Sequence, residues 1–451
     1  MIFHLHPLRQ IFYLPLLHPR SCLPWMNRFT GLLSLCVLLT SLLLGDQRRI
    51  GKRGDLDWTN YYQLGNNSGT YLPSELYPDL SVVGALISST GALGTATLVA
   101  PNYIVTAAHV VKNDLYEIPD PNDWKFYLHD DFGEASSSQI YFIEEIKVHP
   151  VWTARQTTSN SLGDGDELGV DLALAKLSRS VSGIYPARLP STNDDPLGLR
   201  AVVGGFGTLV EGDSGNKDPS NDKRVSGENT IDRSVAKVTK LGVPEDQRGG
   251  VLGIDFDSPQ AQHNTLASGN SVELLGSGDS QATPLTLEAS TAVGDSGGPA
   301  FVRTLGYWRL HGVVSYGTSE SEYGDVTVYT RLASHYDWLI SELPDWPDSK
   351  IFEGSGWLEN PWLGAFVPHS SAWCFHINLG WLYIPFSKGN SFWAWSNLVK
   401  QWIWLSDQAY PFIYCYSPSN SFWMYVLLDS SNGQLIRAYN YSSTEWGNYG
   451  G

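Results

Sequence analysis

Between Tyr71 and Leu343, short runs of Val, Ile, Leu and Thr are broken every few residues by Gly, Asp, Asn or Ser, and no other feature restricts the chain as much. Runs such as Ser81-Val-Val-Gly-Ala-Leu-Ile87 and Gly94-Thr-Ala-Thr-Leu-Val-Ala100 are short and rich in β-branched side chains, which suit a pleated surface. Many short strands between tight turns predict an all-β fold, an antiparallel sandwich or a pair of barrels. No cysteine lies in residues 54–373, so this region has no disulfide and no cysteine-based zinc site, and its core must hold it together. Residues 334–343 break the pattern. Tyr336, Leu339, Ile340 and Leu343 have helical spacing and predict a closing helix. Residues 211–233 are polar and turn-rich and read as an exposed insertion.

Residues 344–356 read as a linker, and residues 357–446 are different in kind, with ten of the 17 tryptophans and few charges. An aromatic-x-aromatic pattern recurs there: Trp373-x-Phe375 with Trp381-x-Tyr383, Trp393-x-Trp395 with Trp402-x-Trp404, and Tyr414-x-Tyr416 with Trp423-x-Tyr425. Each pair places two rings on one strand face, so a small Trp/Tyr-rich β-hairpin repeat domain is predicted. Core packing is the first expectation for such a stripe. An exposed row of Trp381, Trp402 and Trp423 would point instead to a cell-surface or glycan ligand. Cys374 and Cys415 fall in this region and are the disulfide candidates of an exported chain.

Export is expected. Residues 26–45 have a short basic start, an apolar run and small residues at the end, the parts of a secretory signal peptide. Residues 1–25 form an atypical prefix that a mis-called start would explain, and residues 46–70 a lead or pro-segment. Later in the chain no uninterrupted apolar run reaches 18 residues, so no membrane span is expected in the mature protein, whether secreted, periplasmic or surface-bound. The formal net charge is -17, and residues 1–53 contribute seven Lys/Arg against one acid, so the remainder is more acidic still. Such a surface repels phosphate backbones and argues against nucleic-acid binding.

Acyl transfer by a serine needs a nucleophile, a base, an acid that orients the base, and N–H donors for the oxyanion. Taken singly, His109 in Thr106-Ala-Ala-His-Val110 and Asp171 ahead of Leu172-Ala-Leu-Ala-Lys-Leu177 fit ordinary structural roles. Gly294-Asp-Ser-Gly-Gly-Pro299 is far more specific: Gly294 lets backbone approach a substrate, and Gly297 and Gly298 keep bulk away from Ser296. Gly212-Asp-Ser-Gly215 is a decoy in the polar insertion. Asp164-Gly-Asp-Glu-Leu-Gly169 reads as a solvated turn, not a calcium loop. No cofactor or metal motif is present.

In the order His, Asp, Ser, these motifs resemble the trypsin/chymotrypsin-like serine proteases, of bacterial secreted type, over residues 81 to 343. Val148-His-Pro150, Gly204-Gly-Phe-Gly207 and His311-Gly-Val-Val-Ser-Tyr-Gly317 strengthen the likeness. The resemblance implies two six-stranded antiparallel β-barrels and a protein or peptide substrate. It implies His109 as base and acid, Asp171 as its orienter and Ser296 as nucleophile, with Gly294 and Ser296 forming the oxyanion hole. Ser315, Tyr316 and Gly317 become the strand that pairs with substrate, Ser290 the pocket floor and Thr327 its wall. Asp325 or Glu288 is a candidate to lend the pocket a charge. Asp295 becomes the partner of an N-terminal amine, which cleavage after Arg49 would free at Ile50. Val110 and Ala292 stand where the family carries cysteines, and spacings of 62 and 125 between the three residues imply loop insertions. The resemblance leaves open an active endopeptidase, an inactive protease-like binding protein, or a surface-binding protein acting through the repeats.

Overall fold

The computed structural model describes residues 50–67, 76–112, 119–155, 166–207, 209–216, 222–260, 263–291, 294–317 and 321–450. The prefix at 1–25 and the signal segment at 26–45 lie outside them. The first barrel is closed and antiparallel. Its strands are β1 (Val83–Ser88), β2 (Leu93–Ala100), β3 (Tyr103–Thr106), β4 (Trp124–Tyr127), β5 (Ile140–Val148) and β6 (Ala173–Leu177), in the order β1-β2-β3-β6-β5-β4. Closure removes both sheet edges. The alternating side chains Leu86, Leu98, Ile104, Phe126 and Leu177 share one face by register and fill the interior at 0–1% exposure.

The second body is a seven-stranded antiparallel sheet rather than a six-stranded ring. It comprises β7 (Arg200–Gly205), β8 (Val225–Thr230), β9 (Arg233–Val235), β10 (Val251–Asp255), β11 (Pro299–Thr304), β12 (Tyr307–Gly317) and β13 (Val326–Arg331), in the order β8-β7-β11-β12-β13-β10-β9. One core cluster continues from the first barrel through Val202, Phe301, Trp308 and Val313 to the closing helix, Tyr336–Glu342. The all-β architecture expected from the sequence is therefore present, with one closed barrel and the second an open half-barrel of seven strands. Residues 50–67, inside the expected lead, are built into the second body. Ile50–Lys52 pairs in parallel with Leu209–Glu211. Asp57 caps the helix Trp58–Gly65 by accepting from the Thr59 N–H, and Tyr61 on that helix is fully buried.

The C-terminal region is one antiparallel meander of eleven strands. They are β14 (Lys350–Ile351), β15 (Leu358–Asn360), β16 (Gly364–Pro368), β17 (Trp373–His376), β18 (Gly380–Tyr383), β19 (Ser391–Ser396), β20 (Gln401–Ser406), β21 (Phe412–Tyr416), β22 (Phe422–Val426), β23 (Leu435–Asn440) and β24 (Glu445–Gly450). Its inner face gathers Leu382, Ala394, Ile403, Ile413, Met424 and Ala438 over Trp346 and Trp362. The aromatic pairs point the other way. Trp381 and Trp423 are exposed and Trp402 is half-exposed, which corrects the expectation that the stripe forms the core. The disulfide expectation is also corrected. Cys374 and Cys415 are free buried thiols on β17 and β21. Three strands stand between those two, at about 4.8 Å per step, too far for a bridge. Burial pushes both thiols up to about 12.

This sheet is tied to the barrels by buried charge. Asp407, in the turn after β20, accepts from Arg188 Nη2 and Arg309 Nη2, each at 2.8 Å. The guanidiniums are 1% and 0% exposed and lie over the Tyr307 ring at 4.2 and 5.6 Å. Lys388 Nζ adds a bond to the Ile340 carbonyl at 3.0 Å. Removing one partner of such a network leaves buried charge uncompensated. Asp407→Asn is therefore expected to lower unfolding stability by about 3–5 kcal/mol in denaturant titration.

Candidate active site

His109 sits in the single helical turn Ala108–Val111 directly after β3. Ala107 and Ala108 are completely buried, and their small side chains let this turn press against the barrel. The His109 side chain keeps 26% of its surface exposed. Its backbone N–H donates to Asp171 Oδ1 at 2.9 Å, and its Nδ1 lies 2.7 Å from Asp171 Oδ2. Asp171 precedes β6, is 0% exposed, and takes a third bond from Ser315 Oγ at 2.7 Å. Thr330 Oγ1 donates to the Asp171 carbonyl at 2.9 Å. A carboxylate so placed fixes one imidazole tautomer, with Nδ1 carrying the proton and Nε2 left as the acceptor.

Ser315 reaches Asp171 because β12 is irregular there. Pairing with β13 shifts between Val314 and Tyr316, and such a bulge re-aims a side chain without ending the strand. Beyond the shift, Tyr316 pairs with Val328 and Gly317 with Thr327, and Gly317 is exposed. In the sequence Ser315 reads only as part of a substrate-pairing strand. Its bond to Asp171 had no signal beyond Ser-Tyr-Gly.

Ser296 is half-exposed in a turn built by glycines, with φ of +103° at Gly294 and +82° at Gly297. A Cβ at Gly297 would collide with Thr106 Oγ1 and the Thr95 carbonyl. Backbone bonds pin the turn: Thr95 N to Ser296 O at 2.8 Å, Gly297 N to Val314 O at 2.9 Å and Gly298 N to Asp295 O at 2.7 Å. Asp295 is fully buried and its Oδ1 accepts from the Gly207 N–H at 2.9 Å. His109, Gly294 and Ser296 line one cleft of about 350 Å³, bounded by Ser88–Thr90, Leu93, Val110 and Trp124.

Of the expected pocket residues, Ser290 and Thr327 come together, with hydroxyls 3.2 Å apart and both side chains 1% exposed. Thr291 Oγ1, absent from the sequence reading, joins them at 3.1 Å from Thr327 Oγ1. Asp325 is not part of this group, because its carboxylate accepts from the Glu322 N–H. Glu288 is 2% exposed, and burial raises it well above the usual carboxylate range, which disfavours a charge there. The decoy serine Ser214 lies in an exposed turn, bonded to Glu211.

Sequence comparison now adds relatives to this geometry. The Trypsin family model matches residues 79–250 and 254–339, more than half of the chain, and the chain belongs to that family. It is 28% identical over 249 residues to Trypsin-1 of Astacus astacus, covering 54% of this chain and 85% of that protein. To Tryptase of Mus musculus it is 23% identical over 252 residues, 55% of this chain and 77% of the relative. To Spermosin of Halocynthia roretzi it is 40% identical over 63 residues, 14% of this chain and only 16% of the relative. Among the described residues no helix is long and apolar enough to cross a membrane.

Titration of the buried groups sets a pH window. Burial lowers His149 and His311 to about 3, and His335 and His376 to about 4. The folded chain keeps them neutral while the unfolded chain takes up protons below about 6.5, so stability is lost as pH falls through that range. Around Glu288, burial raises Asp255, burial with the nearby Asp255 carboxyl lifts Asp232 to about 8, and burial with Asp255 lifts Asp257 to about 7. Asp232 and Asp257 hold their protons to higher pH in the folded chain than in the unfolded one, so stability is lost as pH rises from about 4 towards 7–8. Above pH 6.5 the carboxyls dominate among these groups. The melting temperature is expected to fall between about pH 6.5 and 8, and Asp257→Asn to flatten that fall in a calorimetric pH series.

Proposed function

We propose that the chain is an exported serine endopeptidase that cleaves peptide bonds through His109, Asp171 and Ser296. The observation that carries this reading is the 2.7 Å contact of His109 Nδ1 with the buried Asp171 carboxylate, with Ser296 and Gly294 lining the same cleft. Ser296 Oγ attacks the scissile carbonyl carbon as His109 Nε2 takes its proton. The N–H groups of Gly294 and Ser296 receive the oxyanion. As the tetrahedral intermediate collapses, the C–N bond breaks and His109 returns the proton to the leaving amine, which leaves an acyl-enzyme. Water, deprotonated by His109, then attacks the ester, and Ser296 leaves with the proton. Asp171 stabilises the imidazolium in both halves, and Ser315 and the His109 N–H keep its carboxylate aimed. On a peptide substrate, Ser296→Ala should lower kcat by about 10⁶-fold and Asp171→Asn by about 10⁴-fold, both without unfolding the chain. Unchanged turnover in Ser296→Ala would end this reading. Full activity loss with native folding separates it from an inactive, protease-like binding protein.

The three hydroxyls of Ser290, Thr291 and Thr327 favour a shallow, uncharged primary pocket and cleavage after small side chains. Thr327→Gly is expected to raise kcat/KM for Leu relative to Ala at that position by about tenfold in a fluorogenic peptide series. For activation, cleavage after Arg49 would release the Ile50 amine toward Asp295. The seat for that segment supports the route: Gly51 O accepts from Ser290 N at 3.1 Å, and Lys52 bridges Ala289.

A further inference from the structure

The aromatic face of the C-terminal sheet has no role in the chemistry above. On β17–β22 the outward positions number fifteen by strand alternation, and thirteen are Trp, Tyr or Phe; the other two are Ser391 and Ser406. Trp381, Trp393, Phe412, Tyr416 and Trp423 are 39–47% exposed. A soluble chain leaves so large an apolar face open where it meets a partner.

We propose that this face is a binding platform for a neutral polysaccharide, a polymer of pyranose rings. Three observations select that occupant. First, the outward face is aromatic, while the inner face is mostly aliphatic, with Phe392 and Phe422 as its aromatic members on these strands. Leu382, Ile403, Leu405, Ile413, Met424 and Val426 all point inward, and no aliphatic side chain points outward. Aliphatic side chains would serve a lipid tail or an ordinary protein interface equally well. Flat rings, eleven of the thirteen carrying an N–H or O–H, match a ligand with flat C–H faces and a rim of hydroxyls.

Second, no outward position on these strands is charged. The charges between residues 373 and 426 are Lys388, Lys400 and Asp407, all in connecting turns. A chain of net charge -17 with no basic patch on this face is repelled by anionic lipid, nucleic acid or acidic glycan. A neutral polymer meets no such barrier. Third, the rings are held by one another. Trp404 meets Trp423 at 87° with centroids 6.1 Å apart, Trp393 meets Tyr416 at 76° and 6.1 Å, and Trp395 meets Trp402 at 75° and 6.1 Å. Rings locked in this way lose little freedom on binding. Strands about 4.8 Å apart also repeat them on the scale of one sugar ring in an extended chain.

The test uses the full-length chain carrying Ser296→Ala, sedimented with insoluble cellulose, chitin or β-1,3-glucan. Retention on at least one polymer is expected. A Trp393→Ala/Trp423→Ala double variant should bind it about tenfold more weakly while keeping its thermal transition. Titration of the parent chain with the soluble hexaoses of the same three polymers, read by tryptophan fluorescence, decides the matter if the double variant does not fold. No retention on any of the three polymers with no fluorescence change would overturn the proposal. So would equal retention by a folded double variant. Cosedimentation with phosphatidylcholine vesicles or self-association through this face, without polymer binding, would assign the surface to lipid or to a second copy and overturn it as well.

Discussion

A buried carboxylate costs several kcal/mol in lost hydration unless donors replace the water, and Asp171 is completely buried. Its donors come from both halves of the molecule. His109 supplies its backbone N–H and Nδ1 from the first barrel, and Ser315 supplies its hydroxyl from the second. The two bodies must therefore close on each other before Asp171 is satisfied, and the closure that satisfies it also brings His109 and Ser296 to one cleft. The bulge at Ser315 is the local departure from regular pairing that makes the third bond possible.

The same logic operates at Asp407. One acceptor from the C-terminal sheet takes bonds from two buried guanidiniums, Arg188 before β7 and Arg309 on β12, which also pair with Asp348 and Asp194. That contact joins the C-terminal sheet to the body that carries the cleft of His109 and Ser296. The acidic chain places its positive charge sparingly, and two of its fully buried cations are spent on this junction.

The strand-and-turn pattern of residues 71–343 was enough to read the fold class, because period-2 alternation with β-branched residues has few other solutions. His109, Asp171 and Ser296 were legible because their flanking small residues and glycines are required by the local geometry, as the collision awaiting a Cβ at Gly297 illustrates. Other features depend on partners distant in sequence. Ile50–Lys52 is only three residues long and finds Leu209–Glu211 across more than 150 positions. Ser315 has no local mark of its bond to Asp171. The aromatic stripe differs for another reason: in β17–β22 both faces are apolar, aromatic on one and mostly aliphatic with Phe392 and Phe422 on the other, so alternation alone does not say which is inside. The cysteine pair looked available because sequence distance says nothing about the strands that intervene.

The central claim is that burial of Asp171 and closure of the two bodies produce an activated Ser296. Its most direct test is labelling of the purified protein with a fluorophosphonate probe, before and after limited trypsin treatment, followed by peptide mapping. The account predicts a single modified residue, Ser296, and no labelling of Ser296→Ala under either condition. Absence of labelling in both conditions, or modification at a serine outside the cleft such as Ser214, would contradict it.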